Sequence, residues 1–409
     1  MRVLMVSDVY FPRVNGVSTS IETFRRCLPR AGADVALVAP RYAAETDDNE
    51  IYRVAARPVP RDPEDRLMAW GEARRTVLRE AADCDLIHIQ TPFVAHYAGL
   101  HAARHLGKPV LATYHTFFEE YLYHYAPFVP AAWMKALARR FARAQCNALD
   151  ALVVPSAAMR DRLLEYGVTR PMHVLPTGIP LDRFAPGHGT HDRAGFRATH
   201  GIAVDRPVVL FVGRVAHEKN ITFLLEAVAV ARQSVPDLLF LITGEGPAEA
   251  VLKARAKVLG LEESVRFLGY LDRRQALPAA YAAADAFIFA SRTETQGLVL
   301  LEAMAMGLPV VALAAMGTRD ILMPKRGCLV PNDTVDSFAE AMVRLLTHAE
   351  LRRSIANEAR DYAMEWSDTR MAERLADLYR TLVRGAAGQA VSHTGALGDS
   401  RFDAPSVKS

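Results

Sequence analysis

Residues 286–309 read Ala286-Phe287-Ile288-Phe289-Ala290-Ser291-Arg292-Thr293-Glu294-Thr295-Gln296-Gly297-Leu298-Val299-Leu300-Leu301-Glu302-Ala303-Met304-Ala305-Met306-Gly307-Leu308-Pro309. The first five residues form an apolar run of strand length, and an apolar helical pattern opens near Gly297. Gly307-Leu308-Pro309 ends that pattern before a second apolar run, Pro309 to Leu313. Strand, loop, helix and strand in this order predict a βαβ unit whose parallel strands are buried on both faces. Leu298 to Gly317 carries a single charge, Glu302, and resembles a membrane span in hydropathy alone. The Gly-Leu-Pro break after ten residues leaves neither part long enough to cross a bilayer.

The same rhythm extends in both directions. Strands are expected at Val208–Gly213, Leu238–Thr243, Val265–Leu268 and Gly327–Pro331, with helical patterns such as Ile221–Gln233 and Ala248–Leu259 between them. An earlier set runs Val3–Ser7, Val35–Ala39, Leu86–Gln90, Pro109–Thr113, Ala151–Pro155 and His173–Pro176. A Pro-, Gly- and His-rich stretch, Phe184 to His191, separates the sets. The reading is α/β, with two consecutive doubly wound, Rossmann-like domains and a cleft between them. Their expected bounds are 1–185 and 192–365. A terminal helix, 366–384, is expected to pack back on the first domain. The aperiodic Gly-, Ala- and Ser-rich stretch 385–409 reads as a disordered tail.

Composition narrows the function classes. At 409 residues, two to three domains are expected. Lys and Arg total 49 against 46 Asp and Glu, a balance that excludes a polybasic nucleic-acid binder. The N-terminus turns polar at Ser7-Asp8, too early for a signal peptide, so a cytoplasmic protein is expected. Four scattered cysteines without a C-x-x-C pair read as buried thiols. Asp83-Cys84-Asp85 precedes a strand instead of ending one, and His101-x3-His105 lacks a nearby carboxylate, so no metal site is expected.

Ligands of doubly wound sheets bind at the loops after the strands' carboxyl ends. After the first strand comes Asn15-Gly16 just before a helix, a permissive backbone at an N-terminus that favours an anion. There is no G-x-G-x-x-G after either first strand and no Walker motif. The second domain's first strand ends in Gly213-Arg214 with Lys219 five residues on, a cationic clamp before another helix. Only seven residues are lysines, which makes Lys219 conspicuous. Glu294 and Glu302, eight residues apart, would be roughly 12 Å apart along a helix axis. That is too far for two carboxylates on one glycosidic bond and suits the two ends of a long bipartite ligand. Glu302 among apolar neighbours also calls for a buried partner.

Gly16, Gly213-Arg214…Lys219, Gly244-Glu245-Gly246-Pro247 and Glu294-x7-Glu302 with its G-L-P-V-V sequel together resemble the retaining GT-B glycosyltransferases of family 4, over roughly residues 1–385. The resemblance implies that Arg214 and Lys219 hold the diphosphate of a nucleotide sugar, UDP- or GDP-hexose. It implies that Glu294 contacts donor-sugar hydroxyls and Glu302 the ribose. Backbone amides near Gly16 and Gly297 would face phosphate, Gly213 and Leu298 would line the donor site with them, and the chain at Tyr270 would border the base. Many members have two glycines in the first loop; Asn15 replaces one in this chain. No metal or other cofactor is implied, and no protein nucleophile. The leaving diphosphate would help deprotonate the acceptor in a front-face transfer.

The aromatic loop Tyr114-His115…Glu119-Glu120-Tyr121 follows a first-domain strand. It resembles the matching segment of diacylglycerol glucosyltransferases and phosphatidylinositol mannosyltransferases. His115 then matches the active-site His beside the donor sugar, with Tyr114, Glu119, Glu120 and Tyr121 on the acceptor side. A lipid or glycolipid hydroxyl is the implied acceptor. A soluble saccharide acceptor or a non-catalytic nucleotide-sugar binder are the alternatives. In Trp133–Arg143, Lys135, Arg139 and Arg143 share one helical face and Trp133, Leu137 and Phe141 another. Such a helix can rest on an anionic membrane or simply present a solvated face.

Overall fold

The computed structural model describes residues 1–43, 45, 49–59, 62–115, 131–184 and 192–395. The strands are β1 (Arg2–Val6), β2 (Asp34–Pro40), β3 (Ile51–Val54), β4 (Ala56–Val59), β5 (Asp62–Met68), β6 (Leu86–Ile89), β7 (Val110–Thr113), β8 (Ala151–Val154), β9 (Met172–Val174), β10 (Val208–Val212), β11 (Leu239–Thr243), β12 (Val265–Gly269), β13 (Ala286–Phe289), β14 (Val310–Ala312) and β15 (Cys328–Leu329). The helices are α1 (Gly16–Cys27), α2 (Trp70–Ala81), α3 (Val94–Leu106), α4 (Ala131–Asn147), α5 (Ala157–Glu165), α6 (Leu181–Phe184), α7 (Arg193–Thr199), α8 (Ile221–Ala231), α9 (Glu249–Val258), α10 (Ala276–Ala283), α11 (Leu298–Ala305), α12 (Thr318–Leu322), α13 (Val335–Thr347), α14 (Ala349–Met364) and α15 (Asp368–Gly395).

The first half is a parallel sheet of order β3-β2-β1-β6-β7-β8-β9, and the second is a parallel sheet of order β12-β11-β10-β13-β14-β15. In each, the order reverses beside the first strand, between β1 and β6 and between β10 and β13. The apolar strands are buried because helices cover both sides. Leu4, Val6 and Val38 join one core with residues of α2 and α3. Val3, Met5 and Leu37, one residue out of phase, join the other face's core.

That second face is completed by the end of the chain. Met371, Leu375 and Tyr379 of α15 are buried against β1 and α1 residues. The chain therefore crosses between the halves twice, and the crossings pair: Ile179 donates to the Trp366 carbonyl, and Asp368 donates to that of Ile179. A Cβ on Gly178 would lie 2.4 Å from the Asp368 Cα, so only glycine allows this approach.

Two expectations need correction. Beyond the alternating units, β3 and the antiparallel hairpin β4–β5 fill residues 51–68. Arg53, Arg57, Pro58, Pro63 and Arg66 interrupt any apolar run there, so the periodicity concealed these strands. The tail does not begin at Gly385: α15 continues to Gly395. Ala386, Ala387 and Ala390 favour helix and no proline intervenes. The rest of the expected tail, 396–409, and most of the linker, 185–191, lie outside the described residues.

Candidate functional site

In the second half, the sheet's order reverses between β10 and β13, and the loops leaving these adjacent strands carry the expected residues. After β10 the chain bends through Gly213 into a short 3-10 turn, His217–Lys219. Asn220 holds that turn from a left-handed conformation, donating its side-chain amide to the Ala290 carbonyl 3.2 Å away at the end of β13. Gly213 is itself a close-packing position: a Cβ on neighbouring Gly244 would lie 1.9 Å from its carbonyl oxygen. Lys219 thereby reaches across the crevice, and its Nζ donates to Glu294 Oε1 at 2.5 Å. Each side chain is 19% exposed. Arg214 is exposed; its carbonyl accepts the Ala216 amide at 3.0 Å, and its side chain makes no hydrogen bond or ion pair with the described residues.

Glu294 precedes the helix instead of lying on it, so the 12 Å helical spacing expected between the two glutamates does not apply. Gly297, at φ 95°, turns the chain into α11, whose start has no side-chain cap. The first amides of α11 are thus left for an anion. Leu298 is the first helical residue and half-buried. Gly317 braces the loop from behind, donating to the Glu294 carbonyl at 2.9 Å.

Glu302 is 1% exposed. Arg273 donates to its Oε1, and the Tyr281 hydroxyl donates to Oε2 at 3.0 Å. Here is the partner that its apolar surroundings demanded. Arg273 sits in the segment after β12, three residues from the exposed Tyr270, so it could not be assigned from spacing. Each carboxylate oxygen keeps a second lone pair beyond these bonds.

In the first half, Gly16 opens α1, and a Cβ built on it meets nothing within 4 Å. Asn15 is the helix cap, its side-chain oxygen accepting the Ser18 amide at 2.9 Å. That duty explains a residue other than glycine at this position. Tyr114 and His115 follow β7. Tyr114 donates its amide to Val153, and His115 Nε2 lies 3.0 Å from Gln90 Oε1. Both flank a small cavity of about 30 Å³ that His96, Gln145 and Cys146 also line. Burial holds His115 down at about 4, so its imidazole is neutral near pH 7. Glu119, Glu120 and Tyr121 lie outside the described residues.

Asp8, at the end of β1, was missed by sequence reasoning. It accepts from the Thr91 hydroxyl at 2.8 Å and from the amides of Phe93 and Ala95, fastening the start of α3 to the end of β1. Asp85 accepts the Arg2 amide at 2.8 Å, a structural duty. Among the described residues, no three His, Cys, Asp or Glu side chains gather into a cation site.

The chain matches two family models, Glycosyltransferase Family 4 over residues 14–183 and Glycosyl transferases group 1 over residues 192–362. It is 33% identical to the alpha-monoglucosyldiacylglycerol synthase of Streptococcus pneumoniae, over 76% of this chain and 71% of that protein. It is also 33% identical to a GDP-mannose-dependent alpha-mannosyltransferase of Mycolicibacterium smegmatis, over 86% and 90%. Sucrose-phosphate synthase from Thermosynechococcus elongatus superposes with a TM-score of 0.75 at 21% identity, covering 94% of this chain and all of the other.

Proposed function

The chain belongs to the family 4, group 1 glycosyltransferases of the GT-B fold, and from that premise we propose that it moves a hexosyl group from UDP- or GDP-hexose to a lipid or glycolipid hydroxyl. The observation that carries the site assignment is the Lys219–Glu294 pair spanning the β10/β13 crevice beside the uncapped start of α11. A cation, free helix amides and exposed Arg214 suit a diphosphate, and the adjoining carboxylate suits sugar hydroxyls. Lys219 and Glu294 neutralise each other across the crevice; donor phosphate would take over the lysine and release the carboxylate to the sugar.

In this reading Glu302 receives the ribose and the chain at Tyr270 borders the base. The half-buried His115 lies beside the donor sugar as a neutral hydrogen-bonding group. The departing diphosphate, stabilised by Arg214, Lys219 and the α11 amides, takes the acceptor proton on the face it leaves, which retains the anomeric configuration. No metal is needed for the charge that develops.

Lipid acceptance rests on the relatives' names, a monoglucosyldiacylglycerol synthase among them, and on α4. Trp133 is 76% and Leu137 63% exposed, while Ala138, Ala142 and Cys146 form the buried side of that helix. Exposed Arg139, Arg140 and Arg143 lie on the same helix. Large apolar groups held in water beside arginines suit an anionic bilayer surface. No helix among the described residues is long and apolar enough to cross one.

The test is a donor panel (UDP-glucose, UDP-galactose, GDP-mannose) against diacylglycerol, monoglucosyldiacylglycerol and phosphatidylinositol in vesicles. Nucleotide release and product mass spectrometry are the readouts, with pelleting on anionic vesicles at low and high salt. Transfer only to soluble saccharides would overturn the lipid assignment. Absence of binding to anionic vesicles in both salts would remove α4 from it.

A further inference from the structure

Gln296 lies between Glu294 and Gly297, yet its side chain turns away from the crevice to the other half of the molecule. It is buried, and its Oε1 accepts the Thr177 amide at 2.9 Å while its Nε2 donates to the Thr177 carbonyl at 2.7 Å. Only this orientation of the amide satisfies both backbone groups. Thr177 belongs to the first interdomain crossing, one residue before Gly178, where the two crossings pack backbone to backbone. The Thr177 hydroxyl is in turn 2.7 Å from Ser20 Oγ on α1, both groups buried. Arg26, further along α1, pairs with Asp368 at 2.5 Å and Asp182 at 3.3 Å on the two crossings. One buried chain of hydrogen bonds therefore runs from the Glu294 loop through the crossing into the helix that begins at Gly16.

We propose that Gln296 is a positioning residue: through Thr177 and Ser20 it sets where the Glu294–Gly297 loop of the second half sits relative to α1 of the first half, and so couples the donor loop to the half that carries the acceptor-side residues. This rests on the functional reading of Glu294 and of the acceptor side given above. Glutamine is suited to the task because it supplies one donor and one acceptor in a plane, as a β-strand residue does. Glutamate would keep the bond from the Thr177 amide and regain the bond to its carbonyl only when protonated. An apolar residue would leave both buried backbone groups without a partner.

The experiment compares Gln296→Ala, Gln296→Glu and Ser20→Ala, each checked for folding by a thermal melt. Ser20→Ala leaves both Gln296 bonds in place and is the mildest. In hydrogen exchange, Gln296→Ala is expected to speed the Thr177 amide at least tenfold while the strands of both sheets stay protected. This readout needs no donor or acceptor, so it stands apart from the transferase assignment. In steady state, Gln296→Ala should lower kcat at least tenfold and leave UDP and GDP dissociation constants within threefold of wild type. Gln296→Glu should match it at pH 8 and recover, relative to wild type at each pH, as pH falls to 6. Ser20→Ala should lower kcat threefold or more, and less than additively when combined with Gln296→Ala. Unchanged exchange at Thr177, a kcat like that of wild type, equal losses in nucleotide affinity and kcat, a flat Gln296→Glu profile or strict additivity would each overturn the proposal.

Discussion

Replacing Glu294 by Gln keeps the shape of the side chain and removes its charge, and the exchange of partners at Lys219 predicts opposite effects on binding and transfer. Lys219 Nζ is 2.5 Å from the carboxylate oxygen, with both side chains 19% exposed. A phosphate oxygen taken up elsewhere on the tetrahedral ammonium, at ~2.8 Å, would stand roughly 4 Å from that carboxylate. At an effective dielectric of about 20, two unit charges at that separation repel by ~4 kcal/mol. Solvent in the partly open crevice, and the lost partner of Lys219, reduce the net gain on neutralisation to about 1–2 kcal/mol. UDP or GDP should therefore bind Glu294→Gln roughly 5–30-fold more tightly by calorimetry. Transfer should nevertheless fall at least tenfold, because the sugar loses its charged hydrogen-bond acceptor. Lys219→Ala should lose both binding and transfer. Unchanged or weaker nucleotide binding by Glu294→Gln, together with near-normal transfer, would refute the reasoning.

Other outcomes follow from buried groups and from the exposed side of α4. Arg273→Met leaves Glu302 buried with only the Tyr281 hydroxyl, and should cost about 3 kcal/mol in chemical denaturation; an unchanged midpoint would show that the pair contributes nothing. Burial pushes His88 down to about 3 and His96 to about 4, so neutral imidazoles are favoured in the folded state. Their contribution is complete above the ordinary histidine range and is lost as pH falls through it, costing about 2 kcal/mol each at pH 5. Asp8, raised to about 6 by burial, changes in the opposite sense and returns about 1 kcal/mol over pH 7 to 5; urea denaturation that is flat over this window would sink the argument. Finally, Trp133→Ala with Leu137→Ala should reduce pelleting on anionic vesicles at least fivefold without changing the melting temperature, since both side chains are exposed.

Residues that act through their own neighbours were readable in advance. The apolar runs of β1, β10 and β13 state their own burial, and the Gly-to-helix transitions at Gly16 and Gly297 state where α1 and α11 begin. Glu302 declared its need for a partner through its apolar flanks. Residues that act through distant ones were not readable. Arg273 and Tyr281 lie 29 and 21 residues from Glu302, and neither has a periodicity that signals it. Gln296 stood in plain view within the quoted stretch, yet its task depends on Thr177, 119 residues away.

What the sequence determined by itself was the pair of parallel, helix-covered sheets and the loops that carry the charged groups, because strand burial and helix starts are written in residues a few positions apart. The hairpin at residues 56–68, the continuation of α15 to Gly395, the pairing of Lys219 with Glu294 and the Gln296–Thr177–Ser20 chain were decided by the tertiary structure. Each depends on a sheet order, a chain crossing or a packed neighbour that exists only after collapse. Local periodicity reports the surface that a segment must bury; it does not report which distant segment will cover it.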